Sequence, residues 1–206
     1  MAEKVSIDLS NEETFIVSKP LILLGNNAHF ITHGKQKIIF SINAQNVSIE
    51  NIILEGDEKD SKKLFIDRYN ERHKTNKGAY QYPLTIGIAV NGNNFVLKNS
   101  QIQGFSHAAV AINNNSFNAQ IINNNIHHNQ RQGFGYGVVL IGNSSAEIVR
   151  NRFDYNRHSV AGTGHSGQSY RAFQNTFGEH HLDSTLDMHG GVDRKDGTNI
   201  AGNNIV

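Results

Sequence analysis

Short stretches in which small or branched apolar residues alternate with polar ones recur along most of the chain, separated by turns rich in Asn, Gly and Ser. One group of three stretches reads AAVAIN, AQIIN and NIHHN, and the next reads GVVLIG, AEIVRN and RFDYN. Alternation over four to six residues is typical of half-buried strands, and no helical periodicity stands out. The pattern therefore predicts three short strands in each repeat.

The repeats follow one another at a period of roughly 24 to 28 residues, with one doubled step, within the range of solenoid proteins. The apolar residue that marks each repeat is Leu54, Ile102, Ile126, Phe153, Phe177 or Ile205. The Asn two places before the marker recurs as Asn124, Asn151, Asn175 and Asn203, which predicts a ladder of stacked amides at one corner. We expect an all-β fold, a right-handed single-stranded parallel β-helix with three short strands per coil and no clear end caps.

The whole chain, residues 1–206, is predicted to be one β-helix domain with a charged loop inserted at about 57–82. The last residues fall inside a coil, so we expect either further chain or a covering partner, such as another domain or a second copy. No apolar run is long enough to span a membrane, and the N-terminus lacks a signal-peptide layout. Localisation is open, and an extracellular or cell-surface location is favoured if a leader has been removed.

Candidate chemistry is concentrated in the later coils. Stacked coils place equivalent residues about 4.8 Å apart, so basic residues that follow each marker should form a vertical strip. The members of this strip are His107, Arg131, Arg157, His158 and His181. A strip of this charge suits an acidic polymer, although the formal charge of the whole chain is only +1 and argues against nucleic acid.

A second concentration of His, Arg and Tyr lies beside this strip. In the segment FDYNRHSVAGTGHSGQSYRAF, little more than half a turn of the solenoid holds Tyr155, Arg157, His158, His165, Tyr170 and Arg171, and His128 stands at a strand position just before the strip. Asp187 and His189 are two residues apart and should therefore point to the same face of one strand. Zero cysteines exclude disulfides and thiol catalysis.

The coil repeats, carried by segments such as NVSIENIILEG and AEIVRNRFDYN, resemble the pectate-lyase-like right-handed β-helix superfamily. That superfamily includes polysaccharide lyases, galacturonan hydrolases and alginate epimerases, and the resemblance covers nearly the whole chain. It implies binding of an extended acidic glycan along one parallel sheet. It implies no reaction type by itself, because the chain carries no catalytic signature of a particular family.

A lyase or epimerase needs a base for the proton beside a carboxylate, and a positive group on that carboxylate. His158 or Tyr155 is a candidate base, Arg157 or Arg131 a candidate for the positive group, and His189, oriented by Asp187, a candidate acid or base. The substrate-binding candidates are His107, His128, Arg131, His165, Tyr170, Arg171 and His181. A hydrolase ranks lower, because the nearby carboxylates are spread over different corners.

No cofactor is predicted, although a loop with Asp193, Asp196 and Asn199 bears a loose likeness to a Ca²⁺ site. The neighbours His127 and His128 should point to opposite faces of a regular strand, so they should not share one zinc ion. The alternatives to an enzyme acting on an acidic polysaccharide are a non-catalytic glycan-binding or adhesive module and a structural spacer without a ligand.

Overall fold

The computed structural model describes residues 5–32, 38–56, 84–131, 133–189 and 197–205. These residues form 19 strands and no helix, and every pair of neighbouring strands is parallel. The strands stack as a solenoid of about six turns, which confirms the predicted parallel β-helix. The predicted loop at 57–82 lies outside the described residues.

Each coil contributes one strand to each of three sheets, which run along the solenoid. Sheet 1 consists of β2 (Phe15–Val17), β4 (Ile38–Ile42), β6 (Ile86–Val90), β9 (Ala108–Ile112), β12 (Tyr136–Leu140), β15 (His158–Gly162) and β18 (Leu186–Met188). The prediction of three strands per coil is therefore confirmed.

Sheets 2 and 3 are continuous with each other in the early coils, because β3 (Leu21–Ile31) and β5 (Val47–Glu55) run through the corner between them. Sheet 2 continues with β7 (Val96–Lys98), β10 (Ala119–Ile122), β13 (Ser145–Val149), β16 (Ser169–Phe173) and β19 (Thr198–Gly202). Sheet 3 contains β1 (Ser6–Asp8), β8 (Gln101–Gln103), β11 (Asn125–His127), β14 (Arg152–Asp154) and β17 (Thr176–Phe177).

The core is a set of apolar rows in which each side chain stacks on its equivalent in the next coil. The predicted repeat markers form one of these rows, since Leu54, Ile102, Ile126, Phe153 and Phe177 are register partners and all are buried. The marker Ile205 is the exception. It bridges Thr176 instead of Phe177 and is exposed, because the last described coil is one residue longer than the repeat predicts.

The corner between sheets 2 and 3 turns through two residues, a left-handed one followed by a buried polar one. The left-handed residues have φ between 54° and 57° and are Asn99, Asn123, Arg150, Gln174 and Asn203. The residues that follow them form a ladder of the buried Ser100, Asn124, Asn151 and Asn175 and the half-buried Asn204. Asn204 therefore takes the place predicted for Asn203, again because of the extra residue in that coil.

The amide of Asn151 shows how the ladder bonds the backbone on both sides of it. In Asn151, Nδ2 donates to Ile121 O at 2.8 Å and to Asn175 Oδ1 at 3.1 Å. Its Oδ1 accepts from the backbone N and the Nδ2 of Asn124, at 2.9 and 3.0 Å. The ladder thus satisfies backbone groups that a tight turn removes from water.

A second amide ladder, which the sequence analysis missed, lies at the corner between sheets 3 and 1. Asn129 Nδ2 donates to Asn156 Oδ1 at 3.0 Å, and Asn129 Oδ1 accepts from the backbone N of Phe105 at 3.0 Å. Phe105, Asn129 and Asn156 are each preceded by a residue in the left-handed conformation, namely Gly104, His128 and Tyr155. Both turning corners next to sheet 3 therefore turn through a left-handed residue, and at His128 and Tyr155 a buried Asn follows it.

Asn151→Ala should lower the free energy of unfolding by about 3 kcal/mol or more, because it leaves the buried N–H of Asn124 and the carbonyl of Ile121 without their partner. The matched control is Asn113→Ala, which removes a stacked amide from the exposed Asn91–Asn113 pair, 2.7 Å apart. That control should cost less than about 1 kcal/mol. Urea unfolding measures both, and equal losses would contradict the energetic role given to the buried ladder.

Candidate functional site

A group of ionisable side chains lies on the outer surface of sheet 1, at the end formed by β15 and β18. We call it the His–Asp cluster, and its members are Arg157, His158, Asp183, Asp187 and His189. Two successive coils build it, since β15 pairs with β18 in register Ala161↔Asp187. Within the second coil, Asp187 and His189 share a face because they are two residues apart.

Asp187 and His189 form a close imidazole–carboxylate pair. His189 Nε2 lies 3.0 Å from Asp187 Oδ2, and the His189 side chain is 48% exposed. This is the pairing that the spacing predicts. A half-exposed imidazole beside a carboxylate can accept a proton from a ligand.

His158 is the buried member of the cluster, with a side chain only 2% exposed. Its ring stacks on Tyr136 at a centroid distance of 5.6 Å, and its Nδ1 lies 2.8 Å from the carbonyl oxygen of Ser184. A carbonyl only accepts, so Nδ1 carries the proton and donates. Burial lowers the pKa of His158, and the positive charge of Arg157 lowers it further. Its Nε2 has no hydrogen-bond partner.

The two remaining members pair with each other. Arg157 Nη2 donates to Asp183 Oδ2 at 2.9 Å, and the Asp183 backbone N donates to Arg157 O at 3.2 Å. The same Asp183 Oδ2 lies 3.6 Å from His158 Nε2, and Asp187 Oδ2 lies 3.9 Å from it. Neither distance is a hydrogen bond. The cluster therefore places two carboxylate oxygens around one unpartnered imidazole nitrogen.

The predicted vertical strip is not formed as expected. Gly135 is the residue between His107 and Arg157 in the stack, because its N donates to His107 O and its O accepts from Arg157 N. Arg131 and Phe134 form an antiparallel bridge, so the chain makes a short excursion before β12. The Arg131 side chain is buried, with Nη1 3.4 Å from Ser106 Oγ, instead of standing on the outer surface.

His107 is half-buried on the sheet 1 side, where its ring packs edge-on against Phe134 and Tyr136. Burial lowers its pKa, and the charge of Arg131 adds to that effect. It lies one coil before Tyr136 in the stack, so aromatic rings separate it from the His–Asp cluster.

Tyr155 and His128 lie at the corner between sheets 3 and 1, both in the left-handed conformation. The Tyr155 ring stacks between His128 and His180, at centroid distances of 4.4 and 4.0 Å. His180 Nδ1 also lies 3.2 Å from Asp154 Oδ1. This corner therefore holds a second, separate His–Asp pair.

The expectation that His127 and His128 point apart is wrong. Their Nδ1 atoms lie 2.7 Å from each other, because β11 ends at His127 and His128 turns into the left-handed region. Alternation between faces holds only within a regular strand. Burial lowers the pKa of His127 to about 4, and the charge of His128 lowers it further.

The other predicted ligand-binding residues are scattered. Tyr170 is a core residue, 1% exposed, whose OH donates to Asp187 O at 3.0 Å and accepts from Asn199 Nδ2 at 3.1 Å; burial raises its pKa to about 12. Arg171 lies on the outer surface of sheet 2, with its guanidinium 5.4 Å from the Phe173 ring. His165 Nδ1 contacts Thr163 Oγ1 at 2.8 Å, and His181 is exposed beyond the second ladder. Tyr170 therefore supports the cluster from inside and cannot touch a ligand.

Sequence reasoning missed one cluster residue, Asp183, and one residue that packs against the cluster, Tyr136. Tyr136 could have been found by aligning GYGVV with RHSVA, which places it in register with His158. Asp183 lies in the turn before β18, where no repeat pattern marks it. Of the residues with a likeness to a Ca²⁺ loop, Asp193 and Asp196 lie outside the described residues, and Asn199 bonds Tyr170.

Comparison with known proteins does not assign the chain to a family. No protein-family model matches the chain, and no curated protein matches it. Across the part of the chain that the structure describes, no helix is long and apolar enough to cross a membrane. The fold and the cluster are therefore the basis for a functional proposal.

The low pKa of His127 predicts a loss of stability in acid. The unfolded chain takes up a proton near the ordinary His pKa of about 6.5, whereas the native site does not until about pH 4. Stability should therefore be full above pH 6.5 and fall between these values, by up to about 3 kcal/mol from this group. Asp154 and Glu55, which favour the charged form, and Arg152 and His128, which oppose it, face the same ring.

Urea unfolding of the wild type and of His127→Gln across this pH range tests the prediction. The variant should lose less stability than the wild type between pH 6.5 and pH 4. Other buried histidines contribute equally to both proteins, so only the difference between the two slopes belongs to His127. Identical slopes would contradict the assignment.

Proposed function

We propose that this protein is a pectate-lyase-like β-helix that acts on an acidic, uronic-acid-containing polysaccharide. The proposed reaction removes the proton beside the uronate carboxylate and ends in β-elimination or in epimerisation at C5. The observation that supports it best is the exposed Asp187–His189 pair, which lies on one parallel sheet together with Arg157. The fold supports the polysaccharide class only by resemblance.

His189 is the proposed base. With the proton of Nε2 toward Asp187 Oδ2, Nδ1 carries the lone pair, and the side chain is 48% exposed. Asp187 then orients the ring and stabilises the imidazolium that forms when the proton arrives. Tyr170 holds this strand from inside, since its OH donates to the Asp187 carbonyl.

Arg157 is the proposed partner of the uronate carboxylate. Asp183 occupies one of its terminal nitrogens, and a guanidinium has five N–H donors in a planar fork. A positive group on the carboxylate lowers the energy of the enolate that forms when the C5–H bond breaks. In elimination the C5 electron pair forms the double bond to C4, the C4–O bond breaks, and the leaving oxygen takes a proton from water. In epimerisation a proton from water returns to C5 on the opposite face.

The second candidate is a non-catalytic glycan-binding module. This reading is favoured because the cluster residues already make hydrogen bonds within the protein. Arg157 donates to Asp183, and His158 Nδ1 donates to Ser184 O. Such a preorganised surface can hold a ligand without any proton transfer. A catalyst and a binder differ in how they respond to loss of one imidazole.

The test is incubation with a panel of uronic-acid polysaccharides in deuterated water. Elimination produces an unsaturated product that absorbs in the ultraviolet, and epimerisation introduces deuterium at C5, so one experiment covers both reactions. His189→Gln should reduce product formation by roughly 10²- to 10⁴-fold, the usual contribution of a general base. Asp187→Asn should reduce it by a smaller factor.

The matched control is His180→Gln, which removes an equally exposed His from the second His–Asp pair without touching sheet 1. It should leave the rate unchanged. Full activity in His189→Gln would reject the proposed base. Glycan binding without product, weakened only slightly by His189→Gln, would instead establish the binding module.

A further inference from the structure

The unpartnered nitrogen of His158 is the least satisfied polar atom of the His–Asp cluster. The side chain is 2% exposed, and Nε2 has no hydrogen-bond partner. Since Nδ1 donates to Ser184 O, Nε2 carries a lone pair. That lone pair faces Asp183 Oδ2 at 3.6 Å and Asp187 Oδ2 at 3.9 Å. A lone pair directed at carboxylate oxygens is unfavourable unless a cation lies between them.

The neighbouring groups have the arrangement of a ligand set. One ligand atom each from His158, Asp187 and His189 can be chosen so that all three lie within 4.8 Å of one another. His189 Nε2 and Asp187 Oδ2 are 3.0 Å apart. Ligands at about 2.1 Å from a tetrahedral ion are about 3.4 Å apart, so a side-chain movement of roughly half an ångström would bring these atoms around one ion.

We propose that His158, Asp187 and His189 bind a divalent transition-metal ion of the zinc class, with the fourth position open. Two imidazoles and one carboxylate are the donors that such ions prefer, whereas Ca²⁺ prefers oxygen donors alone. The hydrogen bond from His158 Nδ1 to Ser184 O is the support that ligating histidines commonly have, because it fixes the tautomer and the ring.

The fold explains why the ligands meet. Asp187 stands on β18 and His189 directly follows that strand, while His158 stands at the start of β15 in the adjacent coil. The ring of Tyr136 stacks on His158 from the other side and fixes its orientation. His158 packs edge-on to His189 at 6.1 Å between ring centroids. The site therefore depends on backbone pairing between two coils.

This inference does not rest on the proposed function, but it has a consequence for it. An ion on His189 Nε2 replaces the 3.0 Å contact between that nitrogen and Asp187 Oδ2, and the positive charge of the ion disfavours protonation of the ring. The metal-bound protein should therefore be the less active form in the elimination proposed above. The site would then let metal availability regulate the enzyme.

The experiment is titration of the full chain with ZnCl₂ by calorimetry after treatment with a chelator, with CaCl₂ as the contrast. We expect one zinc ion per chain and no calcium at the same concentrations. CoCl₂ should give the visible absorption bands of a four- or five-coordinate site. Asp187→Asn and His189→Gln, which alter partly exposed side chains, should each weaken zinc binding at least about tenfold.

His180→Gln is again the matched control and should bind zinc as the wild type does. No zinc binding, or binding that Asp187→Asn and His189→Gln leave unchanged, would overturn the site, as would a ¹⁵N spectrum showing His158 doubly protonated at neutral pH. Zinc binding in a protein that makes no product from any glycan would support the metal site and reject the proposed reaction. Product formation without zinc binding would do the reverse.

Discussion

The turn between sheets 2 and 3 is the constraint on which the rest of this molecule depends. A chain that must return to the same three sheets in every coil has to turn sharply while its backbone polar groups leave water. The left-handed residue makes the turn, and the Asn after it bonds the groups that the turn isolates. Because each Asn also bonds its equivalent in the next coil, the corners of successive coils stay aligned, and so do the apolar rows behind them.

The sequence predicts this architecture well because every coil obeys the same local rules. Alternation within strands, the recurring Asn and the stacked markers all describe one coil, and repetition makes each visible several times. Where one coil differs in length, the predicted ladder position is wrong by one residue, so Asn204 stands where Asn203 was predicted. The second ladder escaped notice because only Asn129 and Asn156 carry it, too few to appear as a period.

The site is harder to predict because it lies where the repeat is broken. Arg131 leaves the predicted strip because its coil makes an excursion, and Tyr170 faces the core because the pleat of β16 turns it inward. His128 and Tyr155 leave their strands' alternation by adopting the left-handed conformation. What the sequence did predict, the pairing of Asp187 with His189, depends only on the two-residue period of one strand. Contacts between coils, such as that of Asp183 with His158, have no such local signal.

The pairing of β15 with β18 fixes the spacing between the coils that carry the ionisable groups of sheet 1. Backbone hydrogen bonds set the distance between neighbouring coils at about 4.8 Å, and no side chain can change it. Groups on adjacent coils can therefore approach only by the length and rotamer of their side chains. Evolution can therefore change the reach of this surface only in discrete steps of one methylene group or one coil. An Asp and a Glu at position 187 would place their carboxylates at different distances from the adjacent coil.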